Sequence, residues 1–286
     1  MSHRQLKFLV VKAHPHDFTH CAGTLGIHTS LGDQVTLVTV TGGSFIHNEE
    51  LEDELRKPKE EQNQEVINKA AESYSDQKAD ELRKAAEVFG ITDVRILNGR
   101  EPFLKSENRD IIEQVAEIVL EIRPDVLITQ SPYINQTGPH GLTSASDIDD
   151  HIQTAYAMAD ALYLAAAPRS GANSKPHRIP PQAQLYPGVY FNRQDWDFAV
   201  DITDWSEQRV QAEAMFKSQG HTEAFARKRI NIAAGSAGWA SNTGYAEGFV
   251  RASSELLSKI TLSEYTIRAA TESPLETQRR MTGVSE

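Results

Sequence analysis

Leu6-Lys7-Phe8-Leu9-Val10-Val11 is a short apolar run that leads directly into the polar stretch Ala13-His14-Pro15-His16-Asp17. A nearly continuous apolar run of this length is typical of a strand buried on both faces of a parallel sheet. A helix is predicted next at residues 22–29, and a second apolar strand at residues 35–40. Strand, helix and strand at this spacing predict a βαβ unit with a right-handed crossover.

The alternation of strands and helices continues to about residue 165. Further strands are predicted at residues 94–97 and 126–129, and helices at residues 77–90, 111–122 and 150–166. Alternation of this kind places helices on both faces of one sheet. The fold class predicted for the chain is therefore α/β, with a Rossmann-like, doubly wound and mostly parallel sheet.

The remainder of the chain has a different pattern. It contains predicted strands at residues 184–191 and 198–202, a predicted helix at residues 206–219, and a glycine-rich stretch at residues 235–248 that we expect to be irregular. We therefore expect a single domain over residues 1–286. In it, a Rossmann-like core (1–168) is followed by a C-terminal α+β elaboration (169–286) that packs on the core.

The composition excludes several classes of protein. The chain has 286 residues, with 40 Asp and Glu against 29 Lys and Arg, and a formal net charge of −11. Sequence-independent binding of nucleic acid or of an anionic membrane needs clustered basic residues instead. The longest apolar runs fall far short of the ~18 residues of a membrane span, and the single Cys21 excludes an internal disulfide. We expect a soluble, cytoplasmic protein that binds neither nucleic acid nor membranes.

Two polar clusters lie where loops leave the carboxyl ends of predicted strands. One is His14-Pro15-His16-Asp17, and the other is the stretch 147–151, which ends in Asp150-His151. Binding sites of open α/β sheets form at this edge. A catalytic zinc site takes three N or O ligands from the protein and leaves one position open for water, which His14, Asp17 and His151 would provide. A His-x-x-Asp pair is also compatible with a hydrogen-bonded loop without a metal, and both interpretations stay open at this point.

Several short motifs follow one another along the chain in a characteristic order. They are His14-Pro15-His16-Asp17, Ala22-Gly23-Thr24-Leu25, Thr41-Gly42-Gly43, Arg123-Pro124-Asp125-Val126 and Asp150-His151. Over nearly the whole chain, this order and spacing resemble the PIG-L/LmbE family of zinc-dependent N-deacetylases. The resemblance implies Zn²⁺ or another divalent metal on His14, Asp17 and His151, and cleavage of an N-acyl amide on a small polar substrate.

The chain departs from the family pattern at two positions. His16 stands where the family usually has an Asp that acts as general base, and Ile148 stands where it usually has a His. A neutral imidazole can accept a proton near neutral pH, so we expect His16 to be the base. We expect Asp150 to support catalysis and His140 to replace the missing acid. Two alternatives stay open: His16 as an extra ligand or supporting residue, and His140 as a solvated loop residue.

Other features favour alternatives to a deacetylase. The spacing from Asp17-Phe18 to Ala22-Gly23 resembles the 4-oxalomesaconate hydratase branch of the superfamily, in which water is added to an unsaturated carboxylate. The two departures also suit a third interpretation, a non-catalytic binding protein on the same scaffold. Members of the family often form homo-oligomers, so the resemblance makes a homo-oligomer an expectation here.

Overall fold

The computed structural model describes residues 4–45, 48–69, 71–133, 149–168 and 175–282. In chain order, its strands are β1 (Lys7–Lys12), β2 (Gln34–Thr39), β3 (Asp93–Ile96), β4 (Val126–Ile128), β5 (Gln184–Pro187), β6 (Phe198–Asp201) and β7 (Ala246–Arg251). Its α-helices are α1 (Ala22–Ser30), α2 (Glu49–Leu55), α3 (Gln64–Ile67), α4 (Ala71–Glu87), α5 (Arg109–Ile122), α6 (Asp150–Ala166), α7 (Ser206–Glu213), α8 (Glu223–Ala240), α9 (Glu264–Thr271) and α10 (Pro274–Thr282).

The strands of the described residues form one sheet in the order β3-β2-β1-β4-β5-β7-β6. Strand β1 pairs in parallel with β2 on one side and with β4 on the other, and β4 pairs in parallel with β5. Only β7 runs against its neighbours β5 and β6. The mostly parallel α/β fold is thus confirmed. The strand order reverses direction between β1 and β4, and a crevice forms at such a switch point in open α/β sheets.

Alternate side chains of β1 enter two different cores. Phe8 and Val10 pack with residues of α1 and α4 on one face of the sheet, whereas Leu9 and Val11 pack with α5 and α6 on the other. Because a strand points successive side chains to opposite faces, a strand covered on both faces needs the continuous apolar run seen in the sequence. Burial on both faces fixes the end of β1, and with it the start of the polar stretch that follows.

The C-terminal part extends the same sheet, because β5, β6 and β7 all belong to it. Three local expectations for this part are wrong. The predicted strand 184–191 ends at Pro187, and a short 3-10 helix, Gly188–Tyr190, follows it. The predicted helix 206–219 ends at Glu213, and a short 3-10 turn, Lys217–Gln219, follows it. The division of the chain at residue 168 stays a prediction.

The third wrong expectation concerns the glycine-rich stretch 235–248. Helix α8 runs through Gly235 and Gly238 to Ala240, and β7 begins at Ala246. At Gly238 a Cβ atom would clash with the backbone of Gly244. The glycine is therefore needed for a close approach between the helix and the loop after it, which offsets its low helix propensity.

The helices of the described residues include none that combines the length and the apolar character needed to cross a membrane.

Candidate metal centre

The polar stretch after β1 forms a buried 3-10 helix, Pro15–Cys21, rather than an open loop. The backbone N–H of His14 donates to Oδ2 of Asp17 (3.0 Å), and the backbone N–H of Asp17 donates to the carbonyl oxygen of His14 (3.2 Å). Pro15 occupies the first position of this helix, where its fixed φ and missing N–H are tolerated. These constraints hold the side chains of His14 and Asp17 within one turn of each other at the carboxyl end of β1.

His151, in the first turn of α6, completes a cluster with His14 and Asp17. One ligand atom from each of the three side chains lies within 4.8 Å of the other two. Oδ2 of Asp17 is 3.6 Å from Nδ1 of His14 and 3.4 Å from Nε2 of His151. His14 and Asp17 are buried, whereas a quarter of the His151 side chain is exposed. Two nitrogens and one oxygen therefore converge at a place that is open on the His151 side.

Each histidine of this cluster has a carboxylate on its other ring nitrogen. Oδ2 of Asp150 is 3.0 Å from Nε2 of His14, and Oδ1 of Asp149 is 3.1 Å from Nδ1 of His151. Gln130, which follows β4, donates from Nε2 to Oδ2 of Asp17 (2.9 Å). Metal-binding histidines almost always donate their second N–H to a carboxylate, carbonyl or water, which fixes the ring orientation. The donor set and its supporting side chains fit a divalent metal such as zinc.

The charges of the cluster are strongly coupled. Burial lowers the pKa of His151, but the charge of Asp17 and the hydrogen bond with Asp149 outweigh burial and raise it to about 10. Burial raises the pKa of Asp17, but His151 and His14 hold that pKa well below its usual range. The two imidazoles of the cluster thus hold protons more tightly than free histidines do, whereas Asp17 is ionised. A metal must displace these protons, because only a neutral imidazole can coordinate it.

His16 lies beside this cluster and contacts a side chain from the C-terminal part. Its Nδ1 is 3.6 Å from Oδ1 of Asp17, and its Nε2 is 3.2 Å from Nη2 of Arg229. A guanidinium can only donate a hydrogen bond, so Nε2 of His16 must be the acceptor. The nitrogen able to accept a proton is therefore the one that faces Arg229. The assignment of His16 as general base stays a prediction.

A buried carboxylate holds Arg229 in place. Oε1 of Glu213, on α7, is 3.2 Å from Nη1 of Arg229 and 3.1 Å from Nδ1 of His221. Burial raises the pKa of Glu213, but the hydrogen bond with His221 and the charge of Arg229 hold it below its usual range. Glu213 is thus an ionised, buried anchor for the guanidinium beside His16.

The structure brings five of the six predicted site residues together: His14, His16, Asp17, Asp150 and His151. The sixth, His140, lies outside the described residues, as does Ile148. Four supporting residues were missed from sequence: Gln130, Asp149, Glu213 and Arg229. The first two carried a signal, since Gln130 follows a predicted strand and Asp149 lies in the polar cluster before His151. Glu213 and Arg229 carried none, since Arg229 is 213 positions away from His16.

The combination of a doubly wound sheet and a His-Asp-His cluster at its switch point has a counterpart among known sequences. Residues 9–162 match the PIG-L family, described as GlcNAc-PI de-N-acetylase. The chain belongs to this deacetylase family, and the resemblance seen in the motifs is confirmed.

Individual relatives are distant. The chain is 26% identical over 189 residues to 1D-myo-inositol 2-acetamido-2-deoxy-alpha-D-glucopyranoside deacetylase of Thermomonospora curvata. The matching region covers 60% of this chain and 57% of the relative. The fold is similar to that of the 4-carboxy-2-hydroxymuconate hydratase GalB of Pseudomonas putida KT2440 (TM-score 0.67, 18% identity, 90% of this chain and 100% of that chain). It is also similar to N,N'-diacetylchitobiose deacetylase of Pyrococcus horikoshii (TM-score 0.60, 19% identity, 86% and 83%).

Proposed function

We propose that this protein is a zinc-dependent N-deacetylase that hydrolyses an N-acyl amide of a small polar substrate. Membership of the deacetylase family supports the reaction type. The observation that carries the proposal is the pairing of each clustered histidine with its own carboxylate, His14 with Asp150 and His151 with Asp149. Polar side chains that lie close together by chance do not need partners that fix the orientation of their rings, whereas metal-binding histidines do.

Nδ1 of His14, a carboxylate oxygen of Asp17 and Nε2 of His151 would hold the metal. Bound by these residues, a divalent ion would supply Lewis-acid polarisation of a carbonyl oxygen and a lowered pKa of water. His14 is then the neutral tautomer with its proton on Nε2, because Oδ2 of Asp150 accepts a hydrogen bond there. Asp150 is a positioning residue in this proposal, and its other oxygen accepts from the backbone N–H of Phe103 (3.0 Å).

His16 is the proposed proton acceptor. In hydrolysis a water oxygen bonds to the acyl carbon and loses a proton, the carbon–nitrogen bond breaks, and the amine leaves after gaining a proton. Nε2 of His16 would take the first proton, provided that it gives up its hydrogen bond with Arg229. His140 remains the proposed donor to the leaving amine.

Metal analysis combined with acetate release tests this function. We expect about one equivalent of zinc in the purified protein and acetate release from N-acetylated amino sugars. His14→Ala and His151→Ala should each lose the metal and the activity. His28→Ala is the matched control, because His28 also pairs with a carboxylate, Asp33 (2.7 Å), but does not belong to the cluster. Full metal content in both ligand variants would overturn the site.

The two other candidate functions give different results in the same assays. A hydratase would consume the ultraviolet absorbance of a conjugated unsaturated carboxylate and would release no amine from N-acetyl substrates. A binding protein would hold the metal with full occupancy and turn over neither class of compound. A homo-oligomeric state and a cytoplasmic location stay predictions.

A further inference from the structure

Arg229 places a cationic group next to the proposed metal centre. Its Nη1 is anchored by Glu213, and its Nη2 lies 3.2 Å from Nε2 of His16 and 3.5 Å from Nε2 of His20. A quarter of the Arg229 side chain remains exposed, whereas that of Glu213 is 1% exposed. Glu213 therefore fixes one side of the guanidinium of Arg229, and the other side is exposed. Held in this way, it can bind a carboxylate at little cost in side-chain entropy.

A cavity lies beside His20, which Arg229 contacts. It has a volume of about 320 Å³ and lies between β7, α8 and the chain segment from Gly188 to Trp196. His20 lines it and connects it to Arg229. Arg209 lines it as well. The Arg209 side chain is only 5% exposed, and its Nε has no hydrogen-bond partner among the described residues.

Glu247, the one carboxylate among the described lining residues, has partners on both oxygens. Oε1 of Glu247 accepts from the N–H of Gly23 (3.0 Å) and pairs with Arg209, and Oε2 accepts from the N–H and the hydroxyl of Thr24 (2.8 and 2.6 Å). Arg193 adds a further guanidinium at the exposed edge of the cavity. Two guanidinium groups, with the described carboxylate of the lining already paired, suit an anion. This contrasts with the net charge of −11 of the whole chain.

We propose that this cavity binds a carboxylate of the substrate, with Arg229 at its border and Arg209 inside it as the cationic groups. The substrate would then be an N-acyl compound that also carries a carboxylate. The inference rests on the proposed function, since it assumes that the acyl group is cleaved at the neighbouring His14-Asp17-His151 cluster. Apolar side chains of Phe191, Trp196 and Ile232 line the rest of the cavity and would contact the carbon skeleton.

Binding of the carboxylate has a consequence for His16. Nη2 of Arg229 donates to Nε2 of His16. A carboxylate at Arg229 competes for that donor, because charge-assisted hydrogen bonds are about twice as strong as neutral ones. The contact between Arg229 and His16 would then weaken.

The test compares N-acetylglucosamine with two anionic derivatives of it, the C6 uronate and the 6-phosphate. Calorimetry measures their affinities for the metal-loaded and the metal-free protein, and acetate release measures turnover. We expect the uronate to bind at least tenfold more tightly than the neutral sugar in both forms of the protein. In Arg229→Gln this ratio should fall below about threefold.

Two further variants show whether an effect of Arg229→Gln comes from misfolding or from the loss of the guanidinium. Arg229→Gln leaves Glu213 buried without its partner, so the double variant Arg229→Gln/Glu213→Gln removes both charges and should show the same loss of preference. Arg227→Gln is the matched control on the same helix. Arg227 is exposed and pairs with Glu207 and Glu223 instead, so its loss should leave the tenfold ratio unchanged.

The outcomes separate this inference from the proposed function. Equal affinities for the uronate and the neutral sugar in the wild-type protein, no binding of either, or a preference that survives Arg229→Gln would each overturn it. Tighter binding of the phosphate than of the uronate would also overturn the carboxylate assignment. If acetate is released but the uronate is not preferred, the carboxylate-binding site is refuted and the deacetylase function is not. If the uronate is preferred through Arg229 but no acetate is released, the deacetylase function is refuted and the carboxylate-binding site is not.

Discussion

Oδ2 of Asp150 lies 3.0 Å from Nε2 of His14, and both side chains are almost fully buried. The contact joins the carboxyl end of β1 to the first turn of α6, and it leaves Nδ1 of His14 facing Asp17 (3.6 Å). It thus sets the orientation of one proposed ligand from an element more than 130 residues further along the chain.

Asp150→Asn should weaken metal binding without abolishing it. An amide keeps the shape of the side chain but loses the charge that stabilises the N–H of His14, and such losses cost about 10–100-fold in metal affinity. Competition with a chromogenic chelator measures this. Asp160→Asn is the control, since Asp160 lies on the same helix but is half-exposed and pairs with Lys105. Equal zinc affinity in both variants would contradict a positioning role for Asp150.

His16→Asn should reduce kcat by about 10²–10⁴, the usual contribution of a general base, and leave the metal content unchanged. His16→Asp, which introduces the residue usual in the family, should restore part of the activity. Its acidic limb should move to lower pH, because a carboxylic acid loses its proton at lower pH than an imidazolium. The pH profile of kcat/KM and metal analysis check both variants. Full activity in His16→Asn would exclude His16 as the base.

Acid should destabilise the protein in part through His20. Burial and the nearby charge of Arg229 lower the pKa of His20 to about 3. Its pKa in the unfolded chain is about 6.5, so between pH 6.5 and 3 the unfolded state binds more protons. The free energy of unfolding then falls by up to about 1.4 kcal/mol for each pH unit in that window.

Urea unfolding at pH 7.5 and pH 5 checks the contribution of His20. In His20→Gln the difference in free energy of unfolding between the two pH values should be smaller than in the wild-type protein by about 1–2 kcal/mol. Other groups that titrate in this window contribute equally to both proteins and cancel in the comparison. An unchanged difference would show that His20 gains its proton equally easily in both states.

Two glycines of α8 should respond to alanine in opposite directions. At Gly238 a Cβ atom would clash with the backbone of Gly244, so Gly238→Ala should destabilise the protein by about 1–3 kcal/mol. At Gly235 the nearest atom is Cε1 of Tyr245 at 3.6 Å, which is ordinary contact, so Gly235→Ala should stabilise it by about 0.5–1 kcal/mol. Urea denaturation compares them, and changes of the same sign would refute the close approach described above.

The parts of the fold that the sequence predicted well are those with local causes. The apolar run at β1 follows from burial on both faces, and the position of His14 and Asp17 follows from the end of that strand. His151 could be placed because it begins a helix after a strand that was also recognised. In each case a pattern within a few residues decides the structure.

What the sequence did not predict depends on distant packing. The helix through Gly235 and Gly238 goes against local propensity, because the fit against the loop after it outweighs a cost of about 1 kcal/mol per glycine. Arg229 and Glu213 contact the site from α8 and α7, and both helices lie far from His16 along the chain. A single sequence holds no signal that pairs residues so far apart.

The carboxylate of Glu247 accepts hydrogen bonds from the N–H groups of Gly23 and Thr24, in the first turn of α1. These N–H groups have no partner within their own helix, and their acceptor comes from β7, more than 220 residues later. The N–H groups of this first turn therefore gain their acceptor only after β7 has been synthesised and has joined the sheet. The stretch that carries His14 and Asp17 leads directly into that turn. Two proposed metal ligands thus lie just before a helix turn whose acceptor comes from a strand more than 220 residues further along the chain.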